Sequence, residues 1–261
     1  MKKTFNSRAD LVRYVSSHAL WAKGEASLIK GGGDEAMKRL LKVDPVAYGQ
    51  SRNYGDGAVS YLSPYIHHGI LTISQVRDHI LNQVDHPKQA MRFVQELAWR
   101  DYWQRQARLH PERLWQDIES YKTGFSAQDY APELPKDIMK GETDVACING
   151  LIHQLLTQGY VHNHGRMYIA SYVVHFRRIQ WQAGARWFLE HLLDGDEASN
   201  NFSWQWVAST FSHKPYIFNL ENVKRYFGEQ LDTRPEHNER INASYEDLAQ
   251  QLFPHLGEHH E

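Results

Sequence analysis

From Met91 to Leu109 the sequence MRFVQELAWRDYWQRQARL runs without a glycine or proline, and Phe93, Leu97 and Ala98 recur in it at helical spacing. Trp99, Tyr102 and Trp103 fall on a neighbouring face, and His110-Pro111 closes the stretch. A helix this long must lay its apolar stripe against other elements, and the chain offers no sheet for it: alternating segments bounded by hairpin turns are missing. Other helical stretches are Gly150 to Gly159, which contains LIHQLLTQ and ends on a capping glycine, Arg166 to Arg178, and Ala185 to Leu193, with Gly184 between the last two. Ser63-Pro64 opens a helix with proline in its first turn. Pro45 and Gly49–Gly57 mark an irregular segment, and residues 120–145, rich in Gly, Pro and Asp, are the least regular. With no repeat of 20–50 residues and Gly31-Gly32-Gly33 as its one glycine run, the chain reads as all-α, a helical bundle in one domain.

Composition narrows the function classes. The 261 residues suffice for a substantial core, and 41% of them are hydrophobic. No run of about 18 apolar residues appears, and the first residues, Met1 to Arg8, lack the apolar stretch of a signal peptide. A single cysteine, Cys147, excludes an internal disulfide, a zinc ribbon and a four-cysteine iron–sulfur site, so the expected location is cytoplasmic, with no membrane and no metal. The 29 Lys+Arg and 31 Asp+Glu leave a formal charge of −2. Residues 232–261 hold seven acids and two bases, so their −5 leaves residues 1–231 at +3. That pattern reads as an acidic, solvated tail on a mildly basic body able to hold an anion. The 8 Trp, 14 Tyr and 10 Phe argue against a merely electrostatic nucleic-acid coat protein.

Four stretches carry chemistry. In Asp194-Gly195-Asp196-Glu197-Ala198-Ser199-Asn200-Asn201, two carboxylates share a glycine turn, and the Ser-Asn pair is placed to cap a helix. Trp204 and Trp206 follow, two apart and hence on different sides of that helix. In Gly159-Tyr160-Val161-His162-Asn163-His164-Gly165-Arg166, the two histidines lack the HExxH context of a zinc site, and Arg166 is better used as the buried partner of Asp194 or Asp196. Val59-Ser60-Tyr61-Leu62-Ser63-Pro64-Tyr65 is a hydroxyl-bearing turn entering a helix, of a kind that also suits an anion. No GxGxxG or Walker loop exists, which excludes Rossmann and P-loop nucleotide sites. In Glu96-Leu97-Ala98-Trp99-Arg100-Asp101-Tyr102-Trp103, the aromatics form either a packed seam or a surface on which Trp99 stacks a planar ring whose edge Glu96 reaches.

In this order and spacing the stretches resemble the FAD-binding domain of the photolyase/cryptochrome family. The residues carrying the resemblance are Ser60-x-Leu62-Ser63-Pro64-Tyr65, Glu96-Leu97-x-Trp99-Arg100, and Gly159-Tyr160-Val161-His162-Asn163-x-x-Arg166-Met167. Trp181-x-x-Gly184, Leu193-Asp194-Gly195-Asp196-x-Ala198-Ser199-Asn200-Asn201 and Trp204-Gln205-Trp206 complete them, from about Tyr48 to Phe227. The resemblance implies a photolyase-like helical domain over residues 48–231, a helical extension over 1–47 packing on it, and the acidic tail over 232–261. It implies bound FAD, with Tyr48, Val59, Ser60, Tyr61, Leu62 and Ser63 at the ribityl–diphosphate portion and Phe93 near the adenine. Asn163, Arg166, Asp194 and Asp196 would surround the flavin ring and ribityl group, and Asn200 would face N5. The activity implied is that of a deoxyribodipyrimidine photo-lyase, a carbon–carbon lyase. Light-excited FADH⁻ gives an electron to a pyrimidine dimer flipped out of UV-damaged DNA, the dimer splits, and the electron returns.

For the lesion, the resemblance points to Glu96, Trp99, Trp103, Asn163, His164 and Trp206, with Arg100, Arg105 and Arg108 on backbone phosphates. Trp204 and Trp181 match two members of an electron-transfer chain. Its third position falls at Gln128, leaving Tyr130 or Trp115 as substitutes. Val59 stands where the family usually has Thr, Phe93 where Trp is frequent, and Asp144-Val145-Ala146-Cys147-Ile148-Asn149-Gly150 replaces a Gly-Tyr-Pro-x-Val-Asp-Ala motif. Only 47 residues precede Tyr48, so no antenna domain or second chromophore is expected within this chain, and an antenna or signalling partner would be a separate protein. The small footprint and weak charge favour single-stranded or otherwise accessible DNA. The alternative from another class is a cryptochrome-like flavin photoreceptor or redox sensor acting through a protein partner.

Overall fold

A computed structural model of the chain describes residues 2–19 and 27–257, in two compact units, Met1–Lys30 and Gly31–Glu261. The first unit carries α1 (Arg8–His18), capped by the Ser7 hydroxyl, which accepts from the Asp10 N–H. The second holds α2 (Gly33–Leu40), α3 (Pro45–Ser51), α4 (Ser63–His67), α5 (Ile73–Leu81), α6 (Pro87–Leu109) and α7 (Lys136–Lys140). These are followed by α8 (Ala146–Gln158), α9 (Asn163–Ser171), α10 (Trp181–His191), α11 (Glu197–Ala208), α12 (Leu220–Phe227) and α13 (Tyr245–Leu252). Among the described residues β pairing is limited to one isolated parallel bridge, Ala131 with Ile179. The all-α expectation holds, and no helix among these residues is long and apolar enough to cross a membrane.

Two apolar clusters organise the second unit. One gathers Ala36, Leu40, Val43, Leu62, Tyr65, Val76, Ile80, Phe93 and Leu97 from α2 to α6. The larger one gathers α8 to α12 and includes Leu151, Ile152, Tyr168, Trp181, Phe188, Trp204 and Phe218. Each large side chain removed from water contributes about 1.5–3 kcal/mol. The helix α6 belongs to both neighbourhoods: Phe93 and Leu97 sit in the first cluster, while Trp103, a turn and a half further on, stacks on Phe202 of α11.

Several local expectations change. Pro45–Ser51 is helical in spite of Gly49, because Asp44 accepts from the N–H groups of Val46 and Ala47 and Pro45 occupies the first turn. The stretch from Arg166 is α9 and then a wider π-type turn at Tyr172–Phe176, ending at Arg178 with φ +50°. Gly184 lies inside α10 rather than between two helices: a Cβ there would stand 2.3 Å from Cη2 of Trp204. Its glycine serves close packing, and Gly159, with φ +64°, supplies the helix stop expected of it. Asp196, not the Ser-Asn pair, caps α11, accepting from the Ser199 N–H at 2.8 Å.

Two domain boundaries also move. Ala36, Leu40 and Val43 belong to the cluster containing Phe93, so residues 31–47 are part of the second unit's core and the division falls after Lys30. Nor is the stretch from Asp232 a solvated tail: Ile241, Leu248 and Phe253 are buried. Fully buried Asn238 donates to the carbonyls of Asp232 and Arg234 and accepts from the Cys147 N–H at 3.0 Å. Glu236, Glu239, Glu246 and Asp247 are exposed while Ile241, Leu248 and Phe253 turn in; residues 258–261 lie outside the described ones.

Gly184→Ala forces a methyl into the Trp204 ring, and a thermal melt should show a loss of about 1–3 kcal/mol. An unchanged melting temperature would mean that the two helices part freely there.

Candidate functional site

The turn that ends at Ser63 is held in an uncommon conformation. Tyr61 has φ +54°, costly for a residue with a side chain, and Ser60 Oγ accepts from the Leu62 N–H at 3.4 Å. The Tyr61 ring packs against Tyr160 with centroids 4.7 Å apart, and the Arg39 guanidinium lies 5.6 Å from its centroid. Nearby in sequence order, Tyr48 meets Phe93 edge-on at 4.8 Å. Burial, seconded by the charge of Glu96, raises the Tyr48 phenol.

Arg166 and Asp194 form the ionic centre. The guanidinium Nη2 reaches both carboxylate oxygens at 3.0 and 3.1 Å, Nε donates to the Val161 carbonyl at 2.9 Å, and the cation lies 5.4 Å from the Tyr160 centroid. Asp194 is 6% exposed. Burial pushes its carboxyl up, yet Arg166 and the Ser63 hydroxyl outweigh that and hold it below the usual range. The choice left open for Arg166 thus falls on Asp194. Asp196 is turned the other way, onto α6: it pairs with Arg100 and accepts from Gln104 Nε2 at 2.8 and 2.9 Å while capping α11. His67 Nδ1 stands 3.5 Å from it. Asn200 donates both amide hydrogens, to the Ala185 carbonyl at 3.1 Å and to Asn201 Oδ1 at 2.9 Å, which leaves its own carbonyl oxygen to present.

The aromatic surface lies along the same two helices. Trp103 stacks on Trp99 (5.3 Å, 23°) and on Phe202 (5.3 Å, 25°). Trp99 lies one turn before Trp103 on α6, and Trp206 one turn after Phe202 on α11. They are 46% and 41% exposed, whereas the other described tryptophans are buried or half-buried. Trp103 supports Trp99, and Trp206 packs on Tyr216 with centroids 5.7 Å apart. Glu96 is paired with Arg52 at 2.7 Å, a link from the end of α3 to α6.

Three expected lesion or phosphate contacts are placed otherwise. Arg100 is engaged with buried Asp196, because a desolvated carboxylate holds its cation. The His164 ring is packed among Tyr168, Tyr226 and Phe227, with Nδ1 3.0 Å from the Asn53 carbonyl oxygen. Asn163 is exposed at the first turn of α9, with no contact to the ion pair. Of the relay residues, Trp204 is buried against Gly184, and Trp181 is buried with its indole donating to Asp117 at 2.6 Å. Arg39, Arg52, Gln104 and Tyr160 were not singled out from the sequence. For Arg52 and Gln104 nothing local marks them, since their partners Glu96 and Asp196 are remote in the chain.

Residues 93–240 match the family model described as the FAD binding domain of DNA photolyase. A deoxyribodipyrimidine photo-lyase of Streptomyces griseus is 31% identical over 186 residues, covering 69% of this chain and 39% of the relative. The chain spans about two fifths of the length of the curated relatives it matches. Among solved structures, a bacterial class III photolyase from Agrobacterium tumefaciens aligns with a TM-score of 0.64 at 22% identity, over 95% of this chain and 48% of that one. A Synechocystis cryptochrome aligns with a TM-score of 0.67 at 20% identity, over 87% and 49%. These two likenesses establish the fold.

Acid stability reports on this region. His162 caps α9 by accepting from the His164 N–H at 3.1 Å, and burial, then the neighbouring His164, lowers its imidazole to about 4. Burial lowers His175 likewise to about 4. Both are neutral in the folded chain and take up protons near pH 6.5 when unfolded. Stability should therefore fall as pH drops from 6.5 towards 4. His162→Asn, which keeps the cap, should flatten that slope in melts across the range; an unaltered slope would contradict the assignment.

Proposed function

The chain belongs to the family of FAD-binding domains of DNA photolyase, and from that membership we propose that it is a light-driven, FAD-dependent deoxyribodipyrimidine lyase acting on UV-damaged DNA. The observation that carries the reading is the pair of exposed indoles, Trp99 on α6 and Trp206 on α11, two helices that the stack of Trp99 and Trp103 on Phe202 joins. Exposed tryptophans on a rigid double-helix support are suited to hold planar bases, which stack on them with little sequence preference.

The residues present fit FAD. A strained turn that carries the Ser60 hydroxyl and has the Arg39 guanidinium over its Tyr61 ring suits an anionic linker, and Tyr48 with Phe93 offers an aromatic wall for the adenine. Arg166 and Asp194 supply a half-buried donor and a buried acceptor, and the locked amide of Asn200 presents an acceptor matching a flavin that carries a proton at N5. Bound there, the reduced flavin supplies a light-excited electron donor. The chain's own tasks are positional. Trp99 and Trp206 hold the flipped lesion by stacking, Glu96, steadied by Arg52, meets its edge, and the buried residues around Asp194 exclude water. With Arg100 committed to Asp196, the phosphates fall to Arg105 and Arg108 on the same helix, and the +3 balance of residues 1–231 suits accessible, including single-stranded, DNA.

The test is blue-light repair of dimer-containing oligonucleotides, single- and double-stranded, by the chemically reduced holoprotein. Loss of dimers in either supports the reading. No loss in both overturns it, and a light-dependent change in the protein alone would then favour the photoreceptor alternative. Trp99→Ala should weaken lesion binding by about 1–3 kcal/mol, with unchanged flavin absorbance. Equal affinity in a binding titration would remove Trp99 from the lesion surface.

A further inference from the structure

The net positive charge of this chain is confined to its first unit. Residues 1–30 hold six bases, Lys2, Lys3, Arg8, Arg13, Lys23 and Lys30, against two acids, Asp10 and Glu25, a balance of +4. Taken from the +3 of residues 1–231, that leaves residues 31–231 at −1. Asp10 is already matched within the unit: Lys2 Nζ lies 2.8 Å from its Oδ2 and holds the carboxyl below the usual range. Lys3, Arg8 and Arg13 are exposed, and Arg8 donates only to a carbonyl, that of Ser27, which leaves its charge uncompensated. Aromatic rings accompany the cations. Phe5 packs on Tyr14 with centroids 5.3 Å apart, Tyr14 on His18 at 4.2 Å, and Lys2 stands 4.9 Å from the Phe5 centroid. The helix α1 buries none of its residues, so core packing does not account for them. The unit is joined to the rest of the chain through Gly31-Gly32-Gly33. A Cβ on any of the three would meet nothing within 4 Å, and Gly32 stands at φ +100°, so the glycines serve backbone freedom rather than close packing.

We propose that residues 1–30 form a tethered arm that binds the phosphate backbone of DNA and supplies most of this chain's sequence-independent attraction to it. The inference rests on the reading of the chain as a lyase acting on DNA. A body of net charge −1 draws in a polyanion weakly, because exposed charges are screened within about 8–10 Å. Arg105 and Arg108 then serve phosphates beside the lesion, while the +4 of the arm engages phosphates further along the strand. Each phosphate neutralised releases counterions, so this attraction weakens steeply with salt. Cations interleaved with aromatic rings suit a strand whose bases are open to stacking. A lipid surface fits the arm less well. Arg8 falls three residues before Leu11 and seven before Val15, on the same face, so a cation interrupts the exposed aliphatic stripe of α1. Backbone contacts carry no sequence information, and the choice of lesion stays with Trp99 and Trp206.

The experiment follows the full-length holoprotein binding an undamaged, labelled single-stranded oligonucleotide, by fluorescence anisotropy across a salt series. Lys3→Gln combined with Arg13→Gln should lower the slope of log affinity against log salt by about 1.4, at about 0.7 for each lost contact to a single strand. At about 0.1 M salt that is a loss of about 25-fold in affinity. Lys3→Arg combined with Arg13→Lys should keep the wild-type slope, because the charge and not the side-chain shape is what acts. Lys136→Gln combined with Lys140→Gln, two exposed positions on α7 of the second unit, should leave the slope unchanged. A wild-type slope in the neutralised arm, a reduced slope in the charge-keeping pair, or an equal reduction in the α7 pair would each overturn the proposal. So would vesicles containing phosphatidylglycerol that bind the wild type but not the neutralised arm, with DNA binding intact in both. Failure of the lyase reading would register separately, as a chemically reduced wild type that repairs nothing while the slopes fall as stated.

Discussion

The joint between the two apolar clusters of the second unit carries a charge pair that is largely withdrawn from water. Removing an Arg and a carboxylate from solvent costs several kcal/mol per ion, and the pair survives only if its remaining hydrogen-bonding capacity is filled. Arg166 and Asp194 meet that demand by drawing in the Val161 carbonyl and the Ser63 hydroxyl. In doing so they tie α9 of the larger apolar cluster to the turn entering α4 of the smaller one. Two residues on, Asp196 pulls the same short loop onto α6 through Arg100 and Gln104. A one-glycine spacing thus lets two carboxylates take different partners, Arg166 of α9 and Arg100 of α6, and the joint between the clusters is the place where a flavin-sized ligand is proposed to lie.

The aromatics follow the same division of labour. Most are packing: Tyr168 on Phe218, Phe188 on Trp204, Trp103 between Trp99 and Phe202. The exceptions are legible from what they lack or gain. Trp99 and Trp206 lack cover, and Trp115 gains a carboxylate on its nitrogen and a guanidinium over its face. Indoles in one small domain therefore differ in exposure and in hydrogen-bond partner, although the residue type is the same.

The sequence disclosed what is encoded locally. An uninterrupted apolar period gave α6, a glycine gave the end of α8, and the paired carboxylates with Arg166 identified the ionic centre. It could not reveal what depends on residues remote in the chain. Gly184 looked like a helix break because the Trp204 ring that demands it is twenty residues away. Arg100 looked like a phosphate contact because Asp196 lies ninety-six residues on. Residues 232–261 read as a tail because their acids outnumber their bases, yet Asn238, Ile241 and Leu248 tie the stretch into the core.

The central claim is that the Arg166–Asp194 pair is kept to organise a flavin rather than to hold the fold. Removing one partner alone would cost about 3–5 kcal/mol and confuse the two, but replacing both with apolar residues of similar volume is often neutral. The decisive measurement is the flavin content of the purified Arg166→Met, Asp194→Leu double variant, read beside its thermal melt. The account predicts a folded protein of near wild-type stability that has lost its FAD. A double variant that retains a full complement of flavin would contradict it.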